Sequence, residues 1–358
     1  MTHWEVPLYS KSRVSKAGNR VAKHIQEIGS SSHSKIQEIM TDDIDVINNY
    51  RASHAFPLNT FQIALRKCAR DIDPDAIVAQ RLKRMPTIIN KLSIFTEMNL
   101  ARMQDIGGCR AVSSSLPETY EISEKFKSRR AKHELLNIKD YIQEPKSSGY
   151  RGIHLIYKYY SDRKNTYNGL RIEVQLRTRL QHAWATAVET AGMLLKQQLK
   201  SSQGEEDWLE FFRYASSGIS ILEGTPTLHS DKTEEEIKHN LKQLEEKLHA
   251  SELLTAVSNA MQRRDEAPNL KNAFHYIMKV DIETKDLDII GFPKKETLTA
   301  NRKYALMEEE YRDNGNIDIV LVSVESFISL KSAYPNYYGD ASMFINTIKE
   351  IIDKNPSK

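Results

Sequence analysis

Two carboxylates surrounded by basic residues mark the middle of this 358-residue chain as the part that could carry out chemistry. Asp105 precedes the pair Gly107–Gly108 and then Arg110. Because glycine has no side chain, a ligand can approach the backbone closely at this pair. Glu173 lies further along, in a segment of alternating apolar and polar residues. Carboxylates that hold Mg²⁺, together with cations that neutralise phosphate charge, are what phosphoryl transfer requires.

The segment around Glu173, RIEVQLRT at residues 171–178, predicts a β-strand with one polar face. Side chains alternate between the two faces of a strand. The polar face would carry Arg171, Glu173, Gln175 and Arg177. Four polar groups on one face indicate either a binding surface or a face that is exposed to water.

Two further clusters supply donors for phosphate oxygens. The first lies in a predicted helical segment, 76–98, and consists of Arg81, Lys83, Arg84 and Lys91. Helical spacing would place several of these cations on one face, although a basic face in water is the alternative. The second lies in a predicted loop and consists of Lys139, Lys146, Arg151 and His154, with Tyr150 as a ring that could stack on a base.

Bulk composition excludes some classes of protein but does not identify a function. Hydrophobic residues make up 40% of the chain and charged residues 28%, which is ordinary for a folded protein. No apolar run is long enough to span a membrane and the N-terminus has no secretory signal pattern, so we expect a cytoplasmic location. Cys68 and Cys109 are too few for a disulfide framework, and we expect both to be buried. Walker A, GxGxxG, HExxH and His-Asp motifs are absent from the sequence.

Changes in hydrophobic period predict an α/β or α+β domain with mixed strands in the middle of the chain, followed by a small C-terminal α+β domain. The predicted units are an N-terminal helical region at 1–75, a catalytic domain at 76–200, a helical connector at 201–264 and a C-terminal α+β domain at 265–358. In the catalytic domain, strands are predicted at 109–112, 153–159 and 170–176, and helices at 117–132 and 179–200.

The connector predicts one long amphipathic helix from Thr233 to Arg264, stopped by Pro268. Thr233 and Glu236 have the spacing of a capping box at its start. The last domain predicts strands at 274–280 and 317–322 and a final helix at 340–352.

Four strings in order, DIGGCR, KDYIQEPKSSGYRGIH, RIEVQLRT and HAWATAVE, resemble the RelA/SpoT synthetase domain of small alarmone synthetases. The resemblance covers roughly residues 76–195 and implies an α+β fold with a nucleotidyltransferase-like mixed β-sheet flanked by helices. It also implies a pyrophosphokinase that moves the β,γ-diphosphate of ATP to a ribose 3′-hydroxyl and releases AMP, with Mg²⁺ as cofactor.

The same resemblance implies roles for individual residues. Asp105 and Glu173 would bind Mg²⁺, and Glu173 would take the proton from the attacking hydroxyl. Arg81 and Arg110 would clamp adenine. Lys83, Lys91, Lys139 and Lys146 would complete the ATP site. Tyr150 would stack on the acceptor base, and the remaining acceptor-binding residues would be Arg151, His154, Gln175 and Arg177.

The string Tyr334-Pro-Asn-Tyr337 just before the last predicted helix resembles the YxxY motif of CapRel-type fused toxin–antitoxins. In that family the C-terminal domain masks the ATP site. The resemblance implies regulatory roles for Tyr334 and Tyr337, the 3′ CCA end of tRNA as acceptor, and a phage protein as activator. A turn with partly buried rings is the alternative for the two tyrosines.

The acceptor stays open on the sequence alone, because one stacking tyrosine serves any base. An alarmone synthetase that uses GDP, GTP or an adenine nucleotide is the nearest alternative to a tRNA-modifying enzyme. A non-catalytic RNA-binding sensor is a third possibility. The presence of both Asp105 and Glu173 argues against it, because such a protein would need neither acid.

Overall fold

The computed structural model describes residues 4–27, 34–95, 97–195, 199, 204–260, 262–263, 270, 272–311, 314, 316–338 and 340–353. Its strands are β1 (Ile77–Leu82), β2 (Gly107–Ser113), β3 (Glu134–Asp140), β4 (Ile153–Lys158), β5 (Arg171–Thr178), β6 (Gln262–Arg263), β7 (His275–Asp281), β8 (Asp286–Phe292) and β9 (Ile317–Ser323).

Its α-helices are α1 (Lys11–Glu27), α2 (Ser34–Ser53), α3 (Ala55–Arg70), α4 (Met85–Ile94), α5 (Leu116–Lys127), α6 (Arg179–Leu194), α7 (Glu206–Glu223), α8 (Glu234–Leu248), α9 (Ala250–Ala260), α10 (Thr297–Glu310), α11 (Phe327–Ala333) and α12 (Ser342–Asp353). Short 3₁₀ turns include Leu100–Arg102 and Pro335–Tyr338.

All strands of the described residues join one mixed sheet in the order β3-β4-β5-β2-β1-β9-β7-β8-β6. The β2–β5 pair is parallel, whereas β1, β4 and β9 pair with their neighbours in antiparallel fashion. The predicted α+β class with a mixed sheet and flanking helices is therefore confirmed. The joint between the middle and the C-terminal part is β1–β9, where Gln80 lies opposite Ser323 and Arg81 opposite Val322.

Helices α3, α5 and α10 cover one face of this sheet. Apolar side chains of β5, such as Val174, point into the large core beneath α3 and α5. In the C-terminal part, Ile277 and Leu321 pack against Tyr304 of α10 on the same face. We call the opposite face, which carries Glu173, the site face.

The C-terminal strands are apolar on the site face as well. Tyr276 and Val322 lie opposite each other there and share a cluster with Tyr334 and Tyr337. The last helix, α12, packs elsewhere, against α6, α7 and α8, where Phe344 contacts the aromatic rings of α7. The division of the chain into four units stays a prediction, but the C-terminal residues contact the middle of the chain through both the sheet and α12.

Several predicted elements are confirmed with shifted ends, among them β2, β4, β5, β7, β9, α5 and α12. The predicted helix over 76–98 is wrong in its first part, because Ile77–Leu82 is a strand and the helix starts only at Met85, beside Pro86. The predicted loop also differs, since Lys139 lies on β3 and His154 on β4.

The predicted single helix over 233–264 is wrong as well. The capping box of Thr233 and Glu236 is present, but His249 adopts a left-handed conformation with φ of 48° and separates α8 from α9. The predicted end at Arg264 and Pro268 lies outside the described residues. Both cysteines are buried and free, as predicted, and none of the helices in the described ranges is long and apolar enough to cross a membrane.

Candidate active site

Strand register brings residues from four separate sequence segments into one row on the site face. Lys139 of β3 lies opposite His154 of β4, which lies opposite Gln175 of β5. Gln175 in turn lies opposite Arg110 of β2. Residues directly opposite on neighbouring strands share a face, so this register alone assembles four of the predicted site residues.

A second row lies two residues earlier on β5 and β2. It contains Glu173 opposite Gly108, and Gly108 opposite Arg81 of β1. A methyl group at Gly108 would find only the carbonyl oxygen of Glu173, at 4.0 Å. The glycine therefore leaves an open gap on the site face between the positions of Glu173 and Arg81.

Glu173 is the centre of a buried hydrogen-bond network. Its Oε1 accepts from Nδ1 of His154 at 2.8 Å, and its Oε2 accepts from Nε2 of Gln175 at 2.7 Å. His154 Nε2 lies 2.6 Å from the hydroxyl of Tyr150. Arg177 connects the two ends of this network, because it donates to the Tyr150 hydroxyl at 2.7 Å and to Oε1 of Gln175 at 3.0 Å.

The network fixes the protonation states of its acid and its imidazole. Burial has the largest single effect and would raise the pKa of Glu173, but the interactions with His154 and the hydrogen bond from Gln175 together outweigh it, so the pKa lies below the usual range. Burial also lowers the pKa of His154, despite the opposing effect of Glu173. At neutral pH, Glu173 is therefore ionised and His154 neutral, with the proton on Nδ1 and with Nε2 accepting from Tyr150.

Asp105 lies just before β2 and forms ion pairs with two of the predicted lysines. Lys83 Nζ is 2.8 Å from its Oδ2, and Lys91 Nζ is 3.1 Å from the same atom. Burial opposes ionisation, but these two cations lower the pKa of Asp105 to about 2. The same burial lowers the pKa of Lys83, which Asp105 partly restores.

The two acids fit the requirements of a Mg²⁺ site that is completed by phosphate oxygens. The charge of Asp105 acts to raise the pKa of Glu173, so the two carboxylates are close enough to interact. A hard cation prefers such oxygen ligands and usually takes only one or two carboxylates together with substrate phosphates. Among the described residues, no group of three or more potential metal ligands occurs.

Tyr150 does not offer an open ring in this structure, contrary to the expected stacking platform. The residue is 6% exposed, and the cations of Lys146 and Arg177 lie 5.0 Å and 4.8 Å from its ring centroid. A base could stack there only after one of these side chains moved. The ring of Tyr141, which the sequence prediction missed within KDY, contacts both Tyr150 and His154 edge-on.

Arg151 makes its hydrogen bonds outside the Glu173 network, and its contact with the acceptor stays a prediction. It is 3% exposed and donates to the carbonyl oxygens of Ile142 and Pro226 and to Oγ of Ser216. Burial lowers its pKa to about 10. Its physical role is to satisfy carbonyl groups of neighbouring loops, which sequence alone could not distinguish from phosphate binding.

The two arginines predicted to clamp adenine lie beside the C-terminal tyrosines. The guanidinium of Arg110 lies 5.3 Å from the ring centroid of Tyr334 and donates to the carbonyl oxygen of Ala333. The hydroxyl of Tyr334 donates to the carbonyl oxygen of Gln80 at 3.3 Å. Tyr334 and Tyr337 are both close enough to Arg81 to influence its pKa. Residues 333–337 therefore occupy the space beside both guanidinium groups.

The middle of the chain is similar to known proteins. Residues 80–199 match a family model described as a region found in RelA / SpoT proteins. The chain is 32% identical over 111 residues to GTP pyrophosphokinase YwaC of Bacillus subtilis, covering 30% of this chain and 52% of that protein. It is 29% identical over 118 residues to GTP pyrophosphokinase YjbM of the same organism, covering 32% and 56%.

Solved structures give weaker similarity over more of the chain. The crystal structure of small alarmone synthetase 2 from Bacillus subtilis is 22% identical, with a TM-score of 0.42, and the match covers 49% of this chain and 93% of that one. Small alarmone synthetase 1 of the same organism, bound to its product pppGpp, is 24% identical with a TM-score of 0.41, covering 48% and 89%. The chain spans about half the length of the curated relatives that it matches.

Proposed function

We propose that this protein is an ATP-dependent pyrophosphokinase. The oxygen of an acceptor ribose 3′-hydroxyl attacks the β-phosphorus of ATP, the bond from that phosphorus to the α-phosphate oxygen breaks, and AMP leaves. The observation that supports this best is the gap at Gly108, which has Glu173 on one side, Arg81 on the other and Asp105 with its two lysines nearby. The match of residues 80–199 to the RelA/SpoT region supports the same reaction.

In this proposal the donor side of the site binds ATP through cations. Arg81 and Arg110 hold adenine between planar groups, a mode of stacking for which guanidinium is suited. Lys83, Lys91 and Lys146 neutralise the phosphates, with Lys139 next to them at the edge of the sheet. Mg²⁺, held by Asp105 and Glu173, would neutralise charge on the transferred diphosphate.

Glu173 takes the proton of the attacking hydroxyl. Each carboxylate oxygen has two lone pairs, so the bonds from His154 and Gln175 leave one on each oxygen for the metal or the proton. The fixed hydrogen bonds orient the carboxylate, which removes the need to reorganise it during transfer. Tyr150 and Arg177 act on Glu173 indirectly, because they hold His154 in one tautomer and one position.

For the acceptor we propose the 3′ CCA end of tRNA, so that the enzyme would stop translation as a cytoplasmic toxin in phage defence. This choice rests on the resemblance to CapRel-type proteins and on the position of the YxxY string beside the adenine-binding arginines. A second candidate is a free nucleotide such as GDP or GTP, which the similarity to the two GTP pyrophosphokinases favours.

We further propose that the C-terminal segment inhibits the enzyme by occupying the adenine position. Tyr334 lies over Arg110 much as a purine ring would, and its own hydroxyl is anchored on β1. A tethered segment has a high effective concentration, so weak contacts suffice for inhibition. A phage protein that binds the displaced form of the C-terminal region would shift the population toward the open enzyme.

Transfer of label from γ-labelled ATP to tRNA, GDP or GTP, in separate reactions with Mg²⁺, tests the reaction and its acceptor. We expect labelled product and equimolar AMP with tRNA, and a larger amount when Tyr334 and Tyr337 are both replaced by alanine. Label in GDP or GTP alone would select the second candidate. If neither the wild-type protein nor the double variant transfers label to any acceptor, the proposed activity is wrong.

A further inference from the structure

A cationic cavity of about 380 Å³ lies beside the candidate active site and has no part in the roles described above. It opens where the ends of several elements meet: the start of α1, the 3₁₀ turn Leu100–Arg102, the end of β4 and the start of β5. Its lining residues are Lys11, Ser12, Ser15, Asn99, Ala101, Arg102, Lys158, Gly169 and Arg171.

The cavity lining is strongly positive. It contains four cations and, within the described part of the chain, no carboxylate. Lys158 has an ion pair with Glu134 at 3.3 Å outside the cavity. Of the other three cations, Lys11 contacts the carbonyl oxygen of Gly169 at 3.3 Å and Arg171 contacts the carbonyl oxygen of Arg102, both neutral groups. Three positive charges are thus available to an anionic ligand.

Two buried groups behind the cavity respond to this positive charge. Burial lowers the pKa of His54 to about 4, and the charge of Lys11 adds to the effect. Burial raises the pKa of Tyr50 to about 12, against the opposing charge of Arg171. The field of the cations therefore extends into the protein as well as into the cavity.

The cavity is connected to the reacting centre by strand geometry. Arg171 and Glu173 are two residues apart on β5, so their side chains share the site face and their Cα atoms are roughly 6.7 Å apart. Lys158 lies directly opposite Arg171 on β4. Arg102 lies three residues before Asp105. A ligand whose hydroxyl reached Glu173 could therefore place a neighbouring phosphate in the cavity.

We propose that this cavity is a phosphate subsite for the acceptor, bound by Lys11, Arg102 and Arg171, with the hydroxyls of Ser12 and Ser15 as further donors. The inference rests on the proposed function, because it takes Glu173 as the point where the acceptor hydroxyl reacts. The phosphate could come from the backbone of an RNA 3′ end or from the 5′-polyphosphate of a free nucleotide. The RNA backbone is our choice, because its repeated phosphates match a site with several separate cations.

The test measures binding of the full chain to a tRNA transcript ending in CCA, to GTP and to ATP, without any transfer reaction. The main variant combines Arg102→Gln with Arg171→Gln. A second variant combines Lys11→Gln with Arg102→Gln, which are both exposed, so that the contact between Arg171 and Arg102 is kept. The matched control, Arg129→Gln with Arg130→Gln, removes two exposed cations at the turn after α5.

We expect both cavity variants to bind tRNA about tenfold more weakly, with unchanged ATP affinity. The slope of the logarithm of affinity against the logarithm of salt concentration should fall by about 1.4, or about 0.7 for each lost phosphate contact. The control should match the wild-type protein. Weaker binding of GTP alone would assign the subsite to free nucleotides. Unchanged binding of both tRNA and GTP, or weaker binding of ATP alone, would contradict the proposed subsite.

The binding assay also separates this inference from the proposed reaction. If the variants lose tRNA binding but the wild-type protein and its tyrosine double variant transfer no diphosphate, the cavity stays assigned and the pyrophosphokinase proposal fails. If transfer occurs and the cavity variants bind every acceptor like the wild-type protein, the reaction stands and the subsite is wrong.

Discussion

One sheet carries two different surfaces on the same face. On β5 the site face holds Glu173, Gln175 and their hydrogen-bond partners, whereas on β7 and β9 it holds Tyr276 and Val322 in an apolar cluster. The change occurs at β1, where Arg81 lies opposite Val322. A continuous sheet thus brings a polar reaction surface and an apolar anchoring surface side by side.

This difference explains how a short tyrosine segment can be held over charged residues. Tyr334 and Tyr337 have their rings in the apolar cluster of the C-terminal strands, while Tyr334 also contacts Arg110 on the polar side. The apolar contacts stabilise the position of the segment, and the cation contact places it at the candidate ATP site. Four tests show whether the two surfaces are as distinct as the structure indicates.

The largest expected effect is on the polar side, at Glu173→Gln. The change keeps the shape of the side chain but removes the metal-binding charge and the proton acceptor. We expect diphosphate transfer to fall by about 10²–10⁴-fold with little change in the melting temperature. Glu124→Gln, on the exposed surface of α5, is the matched control. Transfer within a few-fold of wild type would contradict the role of Glu173.

A glycine pair gives the second test, because Gly107 and Gly108 are adjacent and face opposite ways. A methyl at Gly108 enters the open gap, so Gly108→Ala should reduce transfer by up to about 100-fold through misplaced substrate. The fold should be kept or stabilised by about 0.5 kcal/mol, since alanine is favoured over glycine in a strand.

A methyl at Gly107 would instead lie 2.9 Å from Cδ1 of Ile172 in the core. Gly107→Ala should therefore destabilise the fold by roughly 1–3 kcal/mol. The free energy of unfolding in urea and the rate of diphosphate transfer should be measured for both variants. Equal loss of stability in the two variants would mean that Gly108 does not face an open cleft.

The third test concerns the ion pairs that join the N-terminal helices α2 and α3 to the C-terminal part of the chain. Arg51 and Glu308 are 2.6 Å apart, with side chains only 5% and 9% exposed. Glu308→Gln leaves Arg51 buried without its charge partner, and we expect a loss of roughly 3–5 kcal/mol in unfolding free energy. Glu325, which pairs with Arg66 at 2.9 Å and is 29% exposed, is the control, with an expected loss below about 1 kcal/mol for Glu325→Gln. Similar losses for both would contradict the buried joint.

The smallest expected effect is a pH dependence of stability, to which His54 in the N-terminal part and His275 in the C-terminal part both contribute. Burial lowers the pKa of His54 and of His275 to about 4, below the unfolded value of about 6.5. The unfolded chain therefore binds more protons, and stability is fully present above pH 6.5 and is lost as the pH falls toward 4. Each site contributes roughly 3 kcal/mol at most. NMR titration should show neither imidazole protonating near pH 6.5, and a midpoint there would contradict this burial.

Much of the site could be predicted because it follows from local pattern. The alternation in RIEVQLRT places Glu173 and Gln175 on one face without knowledge of the rest of the fold, and β5 shows that arrangement. Asp105 was identified by its position before two glycines. These signals are short in range, so the sequence alone carries them.

Other features depend on contacts between distant segments. Apolar residues at helical spacing in 76–98 predict a helix, but pairing with β2 and β9 makes Ile77–Leu82 a strand. Arg151 has the type and neighbours of a phosphate ligand, yet it donates to the hydroxyl of Ser216 on α7 and to the carbonyl oxygens of Ile142 and Pro226. The contact between Tyr334 and Arg110 joins residues more than two hundred positions apart, and no local pattern gives its geometry.

The most direct test of the account is diphosphate transfer by a set of three proteins at equal concentration. They are the wild-type chain, the variant with Tyr334→Ala and Tyr337→Ala, and that variant with Glu173→Gln added. Removal of the two rings should uncover Arg81 and Arg110, so we expect the tyrosine variant to transfer label several-fold faster than wild type and the combined variant to be inactive. Equal rates in the first two proteins would contradict inhibition by the C-terminal segment, and continued transfer in the third would contradict a reaction centred on Glu173.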